Sequence, residues 1–220
     1  MGEPLQCPTL LSSGYGTHRI EGVGDKHVPW ILDVRNMDLV AAIDDELTMR
    51  LLRLFNEPRG HTFLSARGVP EELVQKLPLI GISGLANLIG AIKTAKYYEM
   101  TGKDIVFSVA TDGAALYQSR IASLREERGP YTENQAGADF EASLMSLQID
   151  HVRELTYWEK KRIHHLKDFT WVEQRGKPVE ELDRQWYDEG YWQEIYSSDK
   201  ESDRRIREFN AQTGLLERLG

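Results

Sequence analysis

Cys7 is the only cysteine in the 220 residues. No internal disulfide can form, which suits a reducing cytoplasm, and a lone thiol near a terminus is more often incidental than reactive. No run of about eighteen apolar residues exists, so no membrane span is expected. The N-terminus MGEPLQCPTLLSSG lacks the basic start and apolar core of a secretory signal. Positive charge is in deficit: the formal net charge of -8 argues against nucleic acid as a partner, because phosphate binding needs a basic surface. Metal chemistry is poorly supported, since His151 with Glu154 and the pair His164-His165 lack the spacing and third ligand of a zinc site. Internal repeats and low-complexity tracts are absent.

What is present is ordinary globular composition, 40% hydrophobic and 28% charged, enough to bury a sizeable core in one or two domains. The most informative stretch is Gly81-Ile82-Ser83-Gly84-Leu85-Ala86-Asn87. It reads as a glycine-rich turn opening a helix, with Ser83 as N-cap and Gly81 and Gly84 permitting close approach of backbone or ligand. Leu85, Leu88, Ile89, Ile92 and Ala95 recur at helical spacing, and Thr101-Gly102 ends the helix. Ile105-Val106-Phe107 with Val109 then predicts a strand running into Thr111-Asp112-Gly113. A serine nucleophile elbow is excluded because Leu85 stands where it needs a glycine, and a Walker loop because no Gly-Lys pair is present there.

A second segment, His18-Arg19-Ile20-Glu21-Gly22-Val23-Gly24 followed by DKHVPWILD, predicts a short strand entering a loop with two glycines. DLVAAIDDELTMRLLRLFNEPRG predicts a strand and a helix capped by Asp44 or Asp45. In chain order, His18 to Asp33, then Asp38 to Gly60, then Gly81 to Gly113, the three segments resemble the C-terminal half of the cysteine synthase group of pyridoxal-phosphate enzymes, which shares its fold with the tryptophan synthase beta subunit. The resemblance covers roughly residues 9 to 120.

That resemblance implies an α/β fold: a three-layer, open, mostly parallel sheet unit, incomplete, over residues 1–120. It also implies β-elimination or β-replacement on a serine-type amino acid, with pyridoxal 5'-phosphate as cofactor. The inherited cofactor contacts are Gly22, Val23 and Gly24 against the ring, Ser83 and Gly84 near the cofactor, and Thr111, Asp112 and Gly113 near the ring nitrogen. His27, in the same loop, is a candidate substrate contact, though a surface histidine is the commoner outcome there. The family's Schiff-base lysine and phosphate loop lie N-terminal to the segment resembling HRIEGVG, and only Met1 to Thr17 precede it here. No lysine occupies the cofactor position: Lys26 falls in a loop, Lys93 and Lys96 within the helix. The family often has a serine or threonine where this chain has Gly113, and Thr111 supplies a hydroxyl only by a shift of the turn. The chain is thus expected to be inactive alone and to need a missing N-terminal portion or partner subunit. The alternative is a non-catalytic scaffold or subunit-interaction module derived from that fold.

Beyond residue 120 the composition shifts. Residues 121–138 are polar and linker-like, and 139–220 predict a helical extension, beginning with one helix over 139–168. Trp158, Trp171, Trp186 and Trp192 gather in this extension, where they pack helices against a neighbour more readily than they stack on bases, given the surrounding acids. The last residues form a charged, solvated or subunit-facing helix. Three strands are too few for a parallel sheet covered on both faces, so self-association into a homo-oligomer is expected.

Overall fold

The computed structural model describes residues 1–219. From the N-terminus the chain forms β1 (Gly2–Pro4), α1 (Thr9–Ser12), β2 (Leu39–Ile43), α2 (Asp45–Asn56), α3 (Pro58–Ala66), α4 (Glu71–Lys76) and α5 (Ile82–Tyr97). After an irregular stretch come α6 (Gln118–Arg128), α7 (Glu133–Phe140), β3 (Val152–Glu154), α8 (Tyr157–Lys167), α9 (Val179–Tyr187), α10 (Glu189–Tyr196), α11 (Asp199–Thr213) and α12 (Leu215–Leu219). The architecture is α/β, mostly helical, around a small mixed sheet of order β1-β2-β3.

β2 is an uninterrupted apolar run, and all five of its residues are buried. Such a run fits a strand covered on both faces. β1 lies parallel to it with Gly2 opposite Ala41, and β3 antiparallel with Val40 opposite Arg153. Alternate side chains leave a strand on opposite faces, and the core divides accordingly. Ile43 joins Leu51, Leu52, Leu85 and Ile89 of α2 and α5 in one apolar cluster. Val40 and Ala42 join Leu10, Val34, Leu155 and Ile163 in the other.

α2 begins immediately after β2. Asp44 is its N-cap, accepting a hydrogen bond from the Glu46 N–H at 3.0 Å. Asp45 turns instead to Arg19, accepting from its backbone N–H at 2.9 Å and from its guanidinium at 2.6 Å. Arg19 also reaches Glu46 at 2.9 Å, and Arg128 grips both oxygens of that carboxylate at 2.8 and 2.9 Å. Burial works against the Glu46 charge, but hydrogen bonds from Arg128 and Arg19 outweigh it and hold the carboxyl below its usual range. Arg125 makes a bidentate pair with the buried Glu57 at 2.9 Å to each oxygen.

These contacts correct several sequence expectations. Residues 121–138 are not a linker: α6 and α7 occupy them, and Ile121, Leu124, Tyr131 and Ala136 enter the α2/α5 core. The polar composition read as a linker is the ion-pairing side of these helices. The helix expected over 139–168 is interrupted. α7 runs into a π-helical turn, Glu141–Met145, then β3 intervenes, and a capping box between Thr156 and Glu159 starts α8 afresh. No strand forms around Arg19, whose backbone N–H is bound to a side chain rather than to a neighbouring strand. None forms around Ile105 either: residues 105–109 are irregular and exposed, Ile105 by 89% and Phe107 by 90%. A β-prone sequence becomes a strand only beside a backbone that accepts its hydrogen bonds. The sheet is therefore mixed and three-stranded, not the mostly parallel open sheet that the resemblance implies. Among the described residues no single helix is long and apolar enough to cross a membrane.

The C-terminal helices pack on the loop before β2 through one buried cation. Lys167, fully buried, donates to the carbonyls of Trp30 at 3.0 Å and Leu32 at 2.6 Å and to Gln185 Oε1 at 2.8 Å. Burial pushes its ammonium down to about 7, opposed by the charge of Asp33. Trp171 donates to Val28 O at 2.8 Å and packs edge-on against Trp30, while Trp30 donates to Glu181 at 3.2 Å. Trp171, Trp186 and Trp192 thus pack helices, whereas Trp158 is exposed on α8, and α11 is an exposed helix laced by Glu201, Arg204 and Arg205.

His164 lies in the same layer, its Nε2 3.0 Å from Leu182 O. Burial first, and the Lys167 charge second, push the imidazole down to about 4. Between its ordinary value of 6.5 and about 4 the unfolded chain binds a proton there that the folded chain does not. Stability therefore falls as pH drops through that window. Urea unfolding followed by circular dichroism is expected to show this decline, and His164→Gln, which keeps a donor for Leu182 O, is expected to flatten it.

Candidate functional site

The first turn of α5 and the turn at residues 110–113 lie side by side. The Gly81 N–H donates to Asp112 O at 2.8 Å, and Asn87 Nδ2 donates to Val109 O at 2.9 Å. Between these two ties the hydroxyls of Ser83 and Thr111 form a hydrogen bond of 2.8 Å. Ser83 is buried, so its hydroxyl is fixed, whereas Thr111 is exposed and presents its oxygen at the surface. Ser83 is not the N-cap expected from sequence. Gly81 is, with no side-chain cap, and the first helical bond runs from Leu85 N to Gly81 O. The serine sits one place inside the helix because its hydroxyl is claimed by Thr111, a partner 28 residues away.

Gly22 completes this corner. Its φ is +85°, a left-handed conformation that favours glycine, and a Cβ there would stand 3.5 Å from Ser83 Cβ. The bare Gly22 backbone thus lies against the serine. Gly84 faces Ala110, with a Cβ position 3.7 Å from it. Of the residues expected to contact a cofactor, the structure brings Gly22, Ser83, Gly84, Thr111 and Asp112 together, and Gly113 continues the same turn. Val23 and Gly24 turn away. Val23 packs against the α2/α5 core, and Gly24 lies over Pro4 of β1, where a Cβ would come within 2.2 Å of Pro4 Cδ. His27 is remote from this corner in its contacts. It pairs with Asp25 at 3.3 Å and lines a separate cleft with Trp171, Arg175 and Lys177.

Residues that the sequence did not single out, Tyr117 and Arg120, add further polar groups to the corner. Tyr117 donates to Asp112 Oδ2 at 2.5 Å, and this hydrogen bond, reinforced by burial, pushes the phenol up to about 12. Asp112 Oδ1 is buried without a hydrogen-bond partner, and it occupies the space a side chain on Gly81 would need, 1.9 Å from that Cβ position. The carboxylate therefore rests at the N-terminus of α5, where the helix dipole favours negative charge. Arg120 of α6 pairs with Glu21 at 2.8 Å, leaving its Nε buried and unpaired. Nothing in the sequence marks Tyr117 or Arg120, because each meets its partner only after the chain turns through residues 114–117.

Orphaned buried polar atoms are rare in folded proteins and invite a reason. Among the described residues there are five, and Asp112 Oδ1 and Arg120 Nε both belong to this corner. A third, His18 Nδ1, lies in the loop leading into it. With the hydroxyl pair and the Gly22 backbone, Asp112 and Arg120 make this corner a polar wall. The wall lacks an amine nucleophile. Lys93 is bound to Asp150 at 2.6 Å and Lys96 to Leu147 O at 2.7 Å, both toward the far end of α5. No cluster of potential metal ligands occurs among the described residues. No protein-family model matches the chain, and no solved structure matches it.

Gly81→Ala is expected to destabilise the chain by about 2 kcal/mol, because the new methyl collides with Asp112 Oδ1 and forces the turn off α5. Denaturant melts of this variant and of Gly68→Ser, at a turn whose Cβ position meets nothing within 4 Å, compare a packing constraint with a conformational one. The former is expected to be the larger.

Proposed function

We propose that this corner is one wall of a pyridoxal-phosphate site, and that the chain is the C-terminal portion of a cysteine synthase-like enzyme of the tryptophan synthase beta fold. The reaction class is β-elimination or β-replacement on a serine-type amino acid. The observation that carries the proposal is the 2.8 Å Ser83–Thr111 hydrogen bond with Gly22 against it. It joins the glycine loop to both ends of the Gly81 to Gly113 segment, all of which the resemblance assigns to the same cofactor.

When bound, pyridoxal phosphate supplies an electron sink for chemistry at the α-carbon of an amino acid. The chain's own residues would hold and tune it. Ser83, buried and immobile, orients the Thr111 hydroxyl so that it offers a donor or acceptor to a ring nitrogen. Gly22, without a side chain, lets the glycine loop close against Ser83 and bring the loop to the hydroxyl pair. Asp112, fixed by Tyr117 and by the α5 N-terminus, keeps a negative charge beside that hydroxyl. Thr111 takes the place of the hydroxyl residue that the family often has at the position of Gly113. No lysine lies at this corner, so the part these residues would play is to orient the ring.

A second reading, a non-catalytic interaction module, draws on the absence of a lysine from the corner and on the exposed apolar residues 105–109. Equilibrium dialysis of the chain against pyridoxal phosphate, followed by borohydride treatment and peptide mapping, separates the two. Saturable binding with no trapped lysine, weakened about tenfold in Thr111→Val by loss of one hydrogen bond to a ring, supports the cofactor wall. A lysine of this chain trapped at stoichiometric yield would overturn the incomplete-site reading. Binding indifferent to Thr111→Val would leave the interaction module as the better account.

A further inference from the structure

Arginine side chains gather around α2. Arg19, Arg50 and Arg128 pair with Asp45 or Glu46, and Arg53 and Arg125 pair with Glu57. Asp139 stands 3.8 Å from Arg50. The guanidiniums of this network, at 19, 50, 53, 125 and 128, outnumber its carboxylates, at 45, 46, 57 and 139, by one. In a chain of net charge -8 that is a local excess of the opposite sign. Arg50, Arg53 and Arg128 line one cleft of about 380 Å³ together with Tyr131, Ala138 and Asp139.

Arg53 is the informative member. Its side chain is 2% exposed and lies over the Tyr131 ring at 4.7 Å. Its Nη2 donates to Gly129 O at 2.9 Å and reaches Glu57 at 3.5 Å, but Nε is buried without a partner. A guanidinium is a rigid fork of five donors, and leaving one buried and unpaired is costly. The acids of the cleft do not meet that need. Glu46 accepts from Arg128 through both oxygens and from Arg19 and Arg50 besides. Asp139 accepts from the Tyr131 hydroxyl at 2.8 Å, and burial pushes its carboxyl above the ordinary value, so its negative charge is disfavoured there.

We propose that this cleft binds a tetrahedral oxyanion, phosphate as the free ion or as the ester of a small molecule, held by Arg53 and Arg50 with Arg128 adding charge. The class follows from the donors. The guanidiniums come from two elements, α2 and the C-terminal end of α6, and so approach from more than one direction. A tetrahedral anion offers oxygens to each of them, whereas a carboxylate presents one edge. The size of the cleft falls within the range of small-molecule sites. The acidity of the whole chain argues against an extended polyanion, not against a single anion in a basic cleft. No residue lining this cleft belongs to the Ser83 corner, and the inference does not depend on the cofactor reading.

The test follows the arginine Nε–Hε resonances of the full chain by NMR during titration with inorganic phosphate at constant ionic strength. A saturable shift of the Arg53 signal is expected. Arg50→Gln leaves Glu46 paired with Arg128 and Arg19 and is expected to weaken binding about tenfold. Ala138→Glu places a carboxylate at an exposed position of the lining, outside the ion-pair network, and is expected to abolish binding. Circular dichroism checks the fold of both variants, and Ala138→Glu decides alone if Arg50→Gln does not fold. Phenyl phosphate separates the two sources: binding about tenfold tighter than that of inorganic phosphate identifies an ester as the occupant, equal or weaker binding the free ion. Thr111→Val, at the cofactor corner, is expected to leave the phosphate titration unchanged, so either reading can fail without the other. No saturable shift at Arg53, an equal response to acetate, or undiminished affinity in the folded variants would overturn the proposal.

Discussion

The burial of β2 on both faces is the constraint from which the rest of the fold follows. Its five residues carry no polar side chain, so each face must be roofed, and the chain roofs them from different stretches of sequence. α2, which follows the strand directly, and α5, two helices further on, cover the face bearing Ile43. α1, the loop at residues 28–37 and α8 cover the face bearing Val40 and Ala42. The second roof comes from both ends of the chain, and the buried Lys167 fastens it, as Arg53 and Lys93 do in the first. Desolvating an ammonium is costly, and three oxygen acceptors are what make it tolerable at Lys167.

The acidic start of α2 plays a comparable part for the polar segments. Asp44 caps the helix, Asp45 fixes Arg19 and the loop that carries Gly22, and Glu46 holds Arg128 at the end of α6. One helical turn thereby joins the glycine loop to the element that carries Arg120. Shielded pairs with bidentate geometry contribute more than exposed ones, and the pairs at Asp45 and Glu57 are of that kind. The corner at Ser83 inherits its rigidity from this arrangement: α5 is set by the core below it, Gly22 by Arg19, and Asp112 by Tyr117.

Local pattern made part of this legible. β2 and α2 were readable because an apolar run, an aspartate cap and helical periodicity all occur within a few residues of one another, and α5 was readable from its periodicity, though its cap was not. Residues 105–109 have strand composition, but pairing is a non-local property, and no sequence window reveals that a neighbour is lacking. Residues 121–138 failed in the opposite sense: their charge suggested solvent, whereas Arg128 and Arg125 spend it on Glu46 of α2 and on Glu57 in the turn that follows it. At the corner, Ser83, Thr111 and Gly22 could be named from resemblance, but their 2.8 Å contact could not. Tyr117 and Arg120 were invisible because a side chain's partner is set by the turn that precedes it.

The distribution of indole rings has an optical consequence. Trp30, Trp171, Trp186 and Trp192 pack where the C-terminal helices meet the loop before β2, and Trp158 stands exposed on α8. These are all five tryptophans of the chain, and none touches the core shared by α2 and α5. Intrinsic fluorescence is therefore a private signal of the C-terminal layer. Emission would report its detachment while the layer holding Ser83 and Gly22 loosened or tightened unseen, and the difference between that signal and far-ultraviolet dichroism would measure how far the two halves of this molecule unfold as one.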